Sequence, residues 1–524
     1  MKIILIGTFL FLIGYCQAQT TFQKAYGGPN DDRVYSVKQT SDGGYIMVGA
    51  TESFTTSSGI YLIKTDSYGD TLWTKIMEGD YEIGESVQQS ADGGYIISGT
   101  AIDSNGISVM YLLKTDSNGN VLWRKGYEGD EGYSVFQNND HGYIICGTAY
   151  VGFTTDISLT RTDSLGNALW VEYIGIGGSE YAYSVQQTRD SGFIIGGLVG
   201  PSVYYALLVK VSSNGSLEWY RAFHSGTTSF LGRSVQQTRD GGYILAGYTY
   251  PHSNQEAPLL VKTNSLGNVL WSKKYSSPSF SNVVAAYSVQ QTSDDGYVVA
   301  GSNWVGSKTI PFVFKTDSVG SVMWGKQFPN SNSAVPTGGE PFVQQTSDGG
   351  YILSCVTDSL GAGGKDFCLI KVDATGTSGC FDSSLTLIDS AITTMNTTLA
   401  TSIFPASAAV SPNDIISAGG TVTTLCSDIN SINNTDSGSK LVSFFPNPFS
   451  KSGTISFSLR KSEKVSIKIF DSSGRLVSTP ANKVFEPGES QLKWNASGLN
   501  AGIYYLQFQS EEEVVLEKLI LAKQ

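Results

Sequence analysis

Acidic side chains gather in neighbouring loops of this chain, and clustered carboxylates are what a hard cation or a basic partner would use. One segment carries Glu78, Asp80, Glu82 and Glu85 and the next Glu128, Asp130 and Glu131, and of these Glu78, Asp80, Glu82, Glu128, Asp130 and Glu131 are the candidate ligands. Asp31-Asp32 stands ahead of both, whereas the corresponding later segments hold mainly Ser, Thr, Asn and Pro. Oxygen-rich sites of this kind suit calcium, and the same charge would dock a basic partner. The plainer alternative is a solvated acidic rim.

No other constellation points to catalysis, and no catalytic residue is assigned. G-x-S-x-G, H-E-x-x-H and phosphate-loop patterns are absent, and Asp116-Ser117-Asn118-Gly119-Asn120 only grazes a calcium loop. The three histidines, His141, His224 and His252, fall in different repeats and no C-x-x-C spacing occurs, which argues against zinc. A net charge of -12 argues against nucleic acid, whose phosphates need a basic face. The expected cofactor is none, with calcium at the acidic loops as the exception.

The acidic loops belong to a unit of about fifty residues that recurs seven times. Its markers are the aromatic after Gly-Gly (Tyr45, Tyr95, Tyr143, Phe193, Tyr243, Tyr297, Tyr351) and the Trp after Leu or its equivalent (Trp73, Trp123, Trp170, Trp219, Trp271, Trp324). Each copy reads as four short strands, a to d, because β-branched and aromatic residues gather in runs between turn residues. Asp-Gly between a and b suggests a type I′ hairpin, and the Gly of the c-d turn suggests a left-handed bulge position. Four antiparallel strands per repeat make a propeller blade.

Spacing separates two faces of the disc. Gln to aromatic across the a-b turn (Gln39 to Tyr45) and basic residue to Trp across the c-d turn (Lys64 to Trp73) keep one length in every copy, while the b-c and d-a loops vary. The variable face is where a scaffold carries binding chemistry. Phe22-Gln23-Lys24-Ala25-Tyr26 resembles a strand d placed before the first strand a, so the N-terminal strand is expected to complete the seventh blade and remove an exposed edge. The Gln pairs, such as Gln88-Gln89, lie on the innermost strands and are expected to knit blades by amide hydrogen bonds.

Residues 1–18 have the layout of a cleavable secretory signal, and no later run is long and apolar enough to span a membrane. The ring then occupies 19–382, and 383–440 is a Ser/Thr/Asn-rich linker. Cys355 and Cys368 lie on neighbouring strands, and a disulfide between Cys380 and Cys426 would staple the linker. Residues 441–524 alternate as a small Ig-like β-sandwich.

The last segment resembles the type A C-terminal sorting domain of the type IX secretion system. The motifs are Phe445-Pro446-Asn447-Pro448, V-x-I-x-I-F-D-x-x-G-R-x-V from Val465 to Val477, L-x-x-G-I-Y-Y-L from Leu499 to Leu506, and the terminal Lys518 to Lys523. That resemblance implies contact with the secretion machinery, then release or attachment at the outer-membrane surface. The repeats are similar to propeller repeats often joined to this domain. Their K-x-D-x-x-G-x-x-x-W core resembles the tryptophan-docking repeat of quinoprotein dehydrogenases, without the residues of a quinone site.

The sequence thus reads as an all-β exported protein, a seven-bladed β-propeller followed by a small β-sandwich. It is expected to be a monomeric binding or adhesion module for an extracellular glycan or protein. The competing reading is an extracellular enzyme acting on glycans through carboxylates at the propeller mouth. An enzyme requires non-repeat acids converging at the axis; a binding module has them dispersed, with aromatics such as Trp304, Tyr204 and Tyr205 on the loops. Fusing residues 441–524 to a passenger with its own signal peptide should send that passenger to the surface of a host with a type IX system. Periplasmic retention, with a control passenger secreted, would count against the assignment.

Overall fold

The computed structural model describes residues 19–521, apart from 79–80, 103–105, 201–202, 227, 251–255, 281–282, 306–307, 330–340, 360, 380–381, 398–401, 406–414, 418–420, 429–441, 446–450, 460, 472–474, 500–501 and 511–513. Every named element is a strand. The chain divides into two compact units, Met1–Asp428 and Ile429–Gln524.

The first unit contains seven antiparallel blades. In blade 1, strands a (Asp32–Gln39), b (Tyr45–Thr51), c (Gly59–Thr65) and d (Thr71–Glu78) form a meander. Strands b and c are buried along their whole length. Blades flank them on both sides, so their sequences are apolar runs rather than alternations. An apolar cluster fills each junction. Between blades 1 and 2, Ile46, Val48, Ile60 and Leu62 meet Val87, Tyr95, Ile97 and Tyr111.

One contact repeats at every junction. The strand d aromatic of one blade packs on the strand b aromatic of the next: Trp73 on Tyr95, Trp123 on Tyr143, Trp170 on Phe193, Trp219 on Tyr243, Trp271 on Tyr297 and Trp324 on Tyr351, with centroids 5.6 to 6.1 Å apart. At the closing junction Phe22 takes the tryptophan's place against Tyr45, at 6.1 Å. The same rings cover the c-d turn glycine of the next blade. A Cβ on Gly119 would meet Trp73 at 2.8 Å, and one on Gly69 would meet Phe22 at 2.7 Å.

Polar contacts repeat with the same regularity. The basic residue of strand c reaches the Asp of its own a-b hairpin in all seven blades: Lys64–Asp42, Lys114–Asp92, Arg161–Asp140, Lys210–Asp190, Lys262–Asp240, Lys315–Asp294 and Lys371–Asp348. The second Gln of each pair accepts a backbone N–H from the a-b turn of the preceding blade. The donors to Gln89, Gln137, Gln187, Gln237, Gln291, Gln345 and Gln39 are Ser41, Ala91, Asn139, Arg189, Arg239, Ser293 and Ser347, at 2.8 to 3.0 Å.

The a-b hairpin is not the type I′ turn that Asp-Gly suggests. A type I′ turn needs two consecutive left-handed residues, and here only Gly43, at φ 82°, is left-handed. The Asp42 carboxylate takes the Gly44 N–H and shapes a longer loop, Thr40 to Gly44. The equivalent positions hold His141, Ser191 and Asp295, also left-handed.

The ring closes as the sequence suggests, with Thr21–Gly27 pairing antiparallel to Asp366–Val372 of blade 7. The segment read as a linker has another role. Among the described residues between 383 and 428 it supplies a fifth, outermost strand to six blades: Ser383–Ser384 on blade 6, Ile388–Ala391 on 5, Met395–Thr397 on 4, Ser402–Pro405 on 3, Ile415–Ser417 on 1 and Thr421–Asp428 on 7. This belt runs against the blade order. It works with short Ser/Thr/Asn-rich pieces because an outer edge offers backbone N–H and C=O groups to any extended chain. Cys426 lies in its last strand, opposite Gln23; Cys380 falls outside the described residues, and with it the Cys380–Cys426 bridge. Cys355 and Cys368 face each other in register as buried free thiols.

The second unit pairs Val442–Phe445, Ser452–Leu459 and Gly488–Asn495 in one sheet and Leu476–Phe485, Glu463–Asp471, Gly502–Gln509 and Val514–Leu521 in another. Phe444, Ile455, Ile467, Trp494, Leu506 and Phe508 are in its core. Phe445 ends the first strand, and Pro446, Asn447 and Pro448 lie outside the described residues.

Two glycines separate backbone strain from packing. Gly93 and Gly119 both have positive φ, but a Cβ on Gly93 meets nothing within 4 Å. Gly93→Ala should cost about 1–2 kcal/mol from the left-handed backbone alone. Gly119→Ala should cost a further ~1–3 kcal/mol because the methyl displaces Trp73. Chemical denaturation of the two variants checks the difference; equal losses would remove the docking role from the Trp–Gly contact.

Candidate functional site

The innermost strand of six blades breaks its alternation at one place. The register with strand b shifts between Val34 and Ser36, Gly84 and Ser86, Gly132 and Ser134, Ala182 and Ser184, Gly232 and Ser234, and Ala286 and Ser288. A β-bulge leaves one residue unpaired and re-aims its side chain. The extra residues are Tyr35, Glu85, Tyr133, Tyr183, Arg233 and Tyr287, and all six line an axial cavity of about 350 Å³ together with the serines that follow them.

The mouth is aromatic on one side. Tyr133 and Tyr183 lie 5.1 Å apart, and the Arg233 guanidinium sits over Tyr183 at 4.2 Å and near Tyr287 at 5.7 Å. Arg233 also donates to the Tyr248 hydroxyl at 3.4 Å. Cation–π contact of this kind strengthens where water is excluded. Burial, followed by the charge of Glu85, pushes the Tyr35 phenol well above its ordinary range, so it is present as a neutral hydroxyl. Among the described residues, Glu85 is the only carboxylate lining the cavity.

The six acids singled out from the sequence do not share one point. Glu82 is buried and paired with Arg124. Glu78 accepts from the Thr56 N–H and hydroxyl at 2.8 and 2.9 Å, Glu128 from the Tyr173 hydroxyl at 3.2 Å, and Asp130 from the Tyr150 N–H. Glu131 accepts from the Tyr133 hydroxyl and so touches the mouth through that ring. Asp80 lies outside the described residues. Among the described residues, no three His, Cys, Asp or Glu side chains are placed to hold a metal ion. Asp116 spends its carboxylate on the N–H groups of Asn118 and Asn120, both at 2.8 Å. Of the aromatics expected on loops, Tyr205 instead begins strand c of blade 4, 4.6 Å from His224, and Trp304 lies in strand b of blade 6.

Sequence reasoning missed the mouth tyrosines, although a Tyr before the Ser of strand a in four copies was the available signal. It also missed a set of buried acids at the blade junctions. Asp32 and Asp366, 0% and 1% exposed, both lie within 2.6 Å of where a Cβ on Gly27 would be. Burial, with Asp32 and Asp31 adding, pushes Asp366 up to about 6. Burial likewise pushes Glu180 and Glu256 up to about 7.

Fold and cavity together define an all-β, seven-bladed propeller with a tyrosine-lined axial mouth. Residues 443–522 match the secretion system C-terminal sorting domain. The chain is therefore an exported propeller with a type IX sorting tail, secreted or attached at the outer-membrane surface, and that tail engages the secretion machinery. No helix is long and apolar enough to cross a membrane among the described residues. No curated protein matches the chain. Among solved structures there is likeness to Sqt1 from Chaetomium thermophilum, at 10% identity over 70% of this chain and 90% of that one, with a TM-score of 0.36. A Bombyx mori β-fructofuranosidase in complex with sucrose gives 11%, 71%, 93% and 0.28. PorZ, a surface component of the type IX system of Porphyromonas gingivalis, gives 10%, 96%, 100% and 0.21. None of these scores bears on function, and the fold rests on its own strand topology.

The buried acids make stability depend on pH. Glu180 and Glu256 move from 4.5 to about 7 on folding. The folded state therefore holds protons that the unfolded chain releases, and stability falls as pH rises through that window. Melting temperature should decline from pH ~5 to ~7.5 in the native protein and decline less in a Glu180→Gln, Glu256→Gln double variant. Parallel profiles would show that these two carboxyls carry no linkage.

Proposed function

We propose that the protein is an exported, non-catalytic binding module that captures a small hydroxyl-rich ligand, such as a glycan end, in its axial mouth. The observation that carries this is the lining of the mouth among the described residues: four bulge-directed tyrosines, six serines and a single carboxylate, Glu85. Glycoside hydrolysis ordinarily needs two carboxyl groups flanking the bond. Of the loop acids, Glu82, Glu78, Asp130 and Glu128 are committed to Arg124, Thr56, Tyr150 and Tyr173, which supports binding over chemistry. At about 350 Å³ the cavity is at the small end of ligand pockets, a size that favours a saccharide unit over a protein surface. Tyrosine suits such a site because each ring offers a rigid apolar face and a polar tip at low entropic cost.

A glycan array followed by calorimetry tests this reading. Tyr183→Ala and Tyr287→Ala should each weaken binding roughly tenfold, about 1.4 kcal/mol, while the Glu78→Gln variant, outside the cavity and bonded to Thr56, should bind within about twofold. Glycan hydrolysis by the native protein that disappears in Glu85→Gln would overturn the binding reading in favour of an enzyme.

A further inference from the structure

Below the mouth, toward the a-b turns, the axis holds a second cavity of about 400 Å³ walled by the glutamine pairs. The first Gln of the pair is pinned in five blades. The Oε1 atoms of Gln88, Gln186, Gln236, Gln290 and Gln344 accept the backbone N–H of Gln137, Gln237, Gln291, Gln345 and Gln39 in the next blade, at 2.5 to 2.9 Å. A backbone N–H can only donate, so the oxygen end of each amide is fixed toward the neighbouring blade. The NH₂ ends are left to the channel, and among the described residues they have no protein acceptor.

Blades 1 and 3 depart from this pattern, with Lys38 and Phe136 at the same position. Lys38 enters the cavity with its ammonium 4.0 Å from the centre of the Phe342 ring. No carboxylate lies within ion-pairing distance of it among the described residues, and no acid lines the cavity. The hairpin acid of the same blade, Asp42, is engaged by Lys64 at 2.9 Å. The charged groups of the mouth above are Glu85 and Arg233. An ammonium and five amide NH₂ groups therefore converge on one channel, and among the described residues no carboxylate lines it.

We propose that this ring is a second binding site, for a small oxyanion held by the Lys38 ammonium and the channel-facing amides of Gln88, Gln186, Gln236, Gln290 and Gln344. Charge-assisted hydrogen bonds to such an anion are stronger than neutral ones. They also relieve an ammonium that has no counter-charge among the described residues. Carboxylate, sulfate and phosphate share the required chemistry, whether as inorganic ions or carried on an acidic sugar. Enclosure in the channel lowers Lys38 to about 8, so the site loses its charge just above neutral pH.

The test compares the native protein with Lys38→Gln, which installs in blade 1 the amide already present in five other blades and so preserves the fold. Sulfate, phosphate, acetate, glucuronate and glucose are titrated by calorimetry at constant ionic strength in sodium chloride. At least one of the oxyanions should bind saturably at neutral pH and weaken roughly tenfold by pH ~9 as the ammonium deprotonates. Lys38→Gln should melt no lower than the native protein, bind at least about tenfold more weakly and lose the pH dependence. Binding by glucuronate, but not glucose, would assign a sugar-borne carboxylate; binding by sulfate or phosphate alone would assign an inorganic ion. Equal affinities in the two proteins, or no saturable binding by any oxyanion, would overturn the proposal. Sulfate, phosphate and acetate do not probe the tyrosine mouth, and sugar binding that Lys38→Gln leaves unchanged reports on the mouth alone, so the two sites succeed or fail separately.

Discussion

The structure depends on an aromatic ring laid over a glycine turn. Repeated at seven junctions, the contact between a strand d aromatic, the next strand b aromatic and the next c-d glycine sets how closely blades approach and at what angle. The glycine is required for two reasons, since its φ is positive and its missing Cβ leaves room for the ring. That fixed spacing carries inward to the axis. Interblade bonds from Gln Oε1 to backbone N–H are 2.5 to 3.0 Å long throughout, and tolerate little variation in blade separation.

The inner strands use this regular frame to present irregular chemistry. The bulge before each serine costs a ladder bond and delivers one side chain per blade to the axis, where it no longer follows the repeat: tyrosine in four blades, Glu85 and Arg233 in two. Three residues on, Lys38 and Phe136 replace glutamine. The scaffold positions are nearly invariant between copies, and the axial positions are where the copies differ. A ligand on the axis would therefore meet each blade differently although the backbone repeats.

Much of this was legible in the sequence, and the parts that were not have physical reasons. The repeat, the closure by Phe22 and the double burial of strands b and c follow from residue type and spacing. The bulge does not, because alternation alone assigns Tyr35 and Ser36 to opposite sides of the strand. The belt was illegible because five of its six described strands have only two to four residues, too few to carry a periodicity, and strand pairing uses backbone groups. The acidic loops looked like one site because their sequence neighbours are acidic. Their actual partners, Arg124 for Glu82 and Tyr173 for Glu128, lie more than forty residues away.

The belt also decides how the propeller would respond to tension. Its last strand pairs Asp428 with Thr21 and Thr421 with Gly27, antiparallel, so the two ends of the propeller unit leave from the same end of one ladder. A pull between residues 21 and 428 opens that ladder rung by rung, as a zipper does, instead of shearing it along its length. The belt would then lift from blade 7, blade 1 and onward around the disc, while Phe22 and Tyr26 stay bonded to blade 7 through Lys371 and Phe367. A molecule held at the cell surface by its C-terminal side would thus lengthen by releasing its outer wrapping first, with the ring and its axial chemistry still closed.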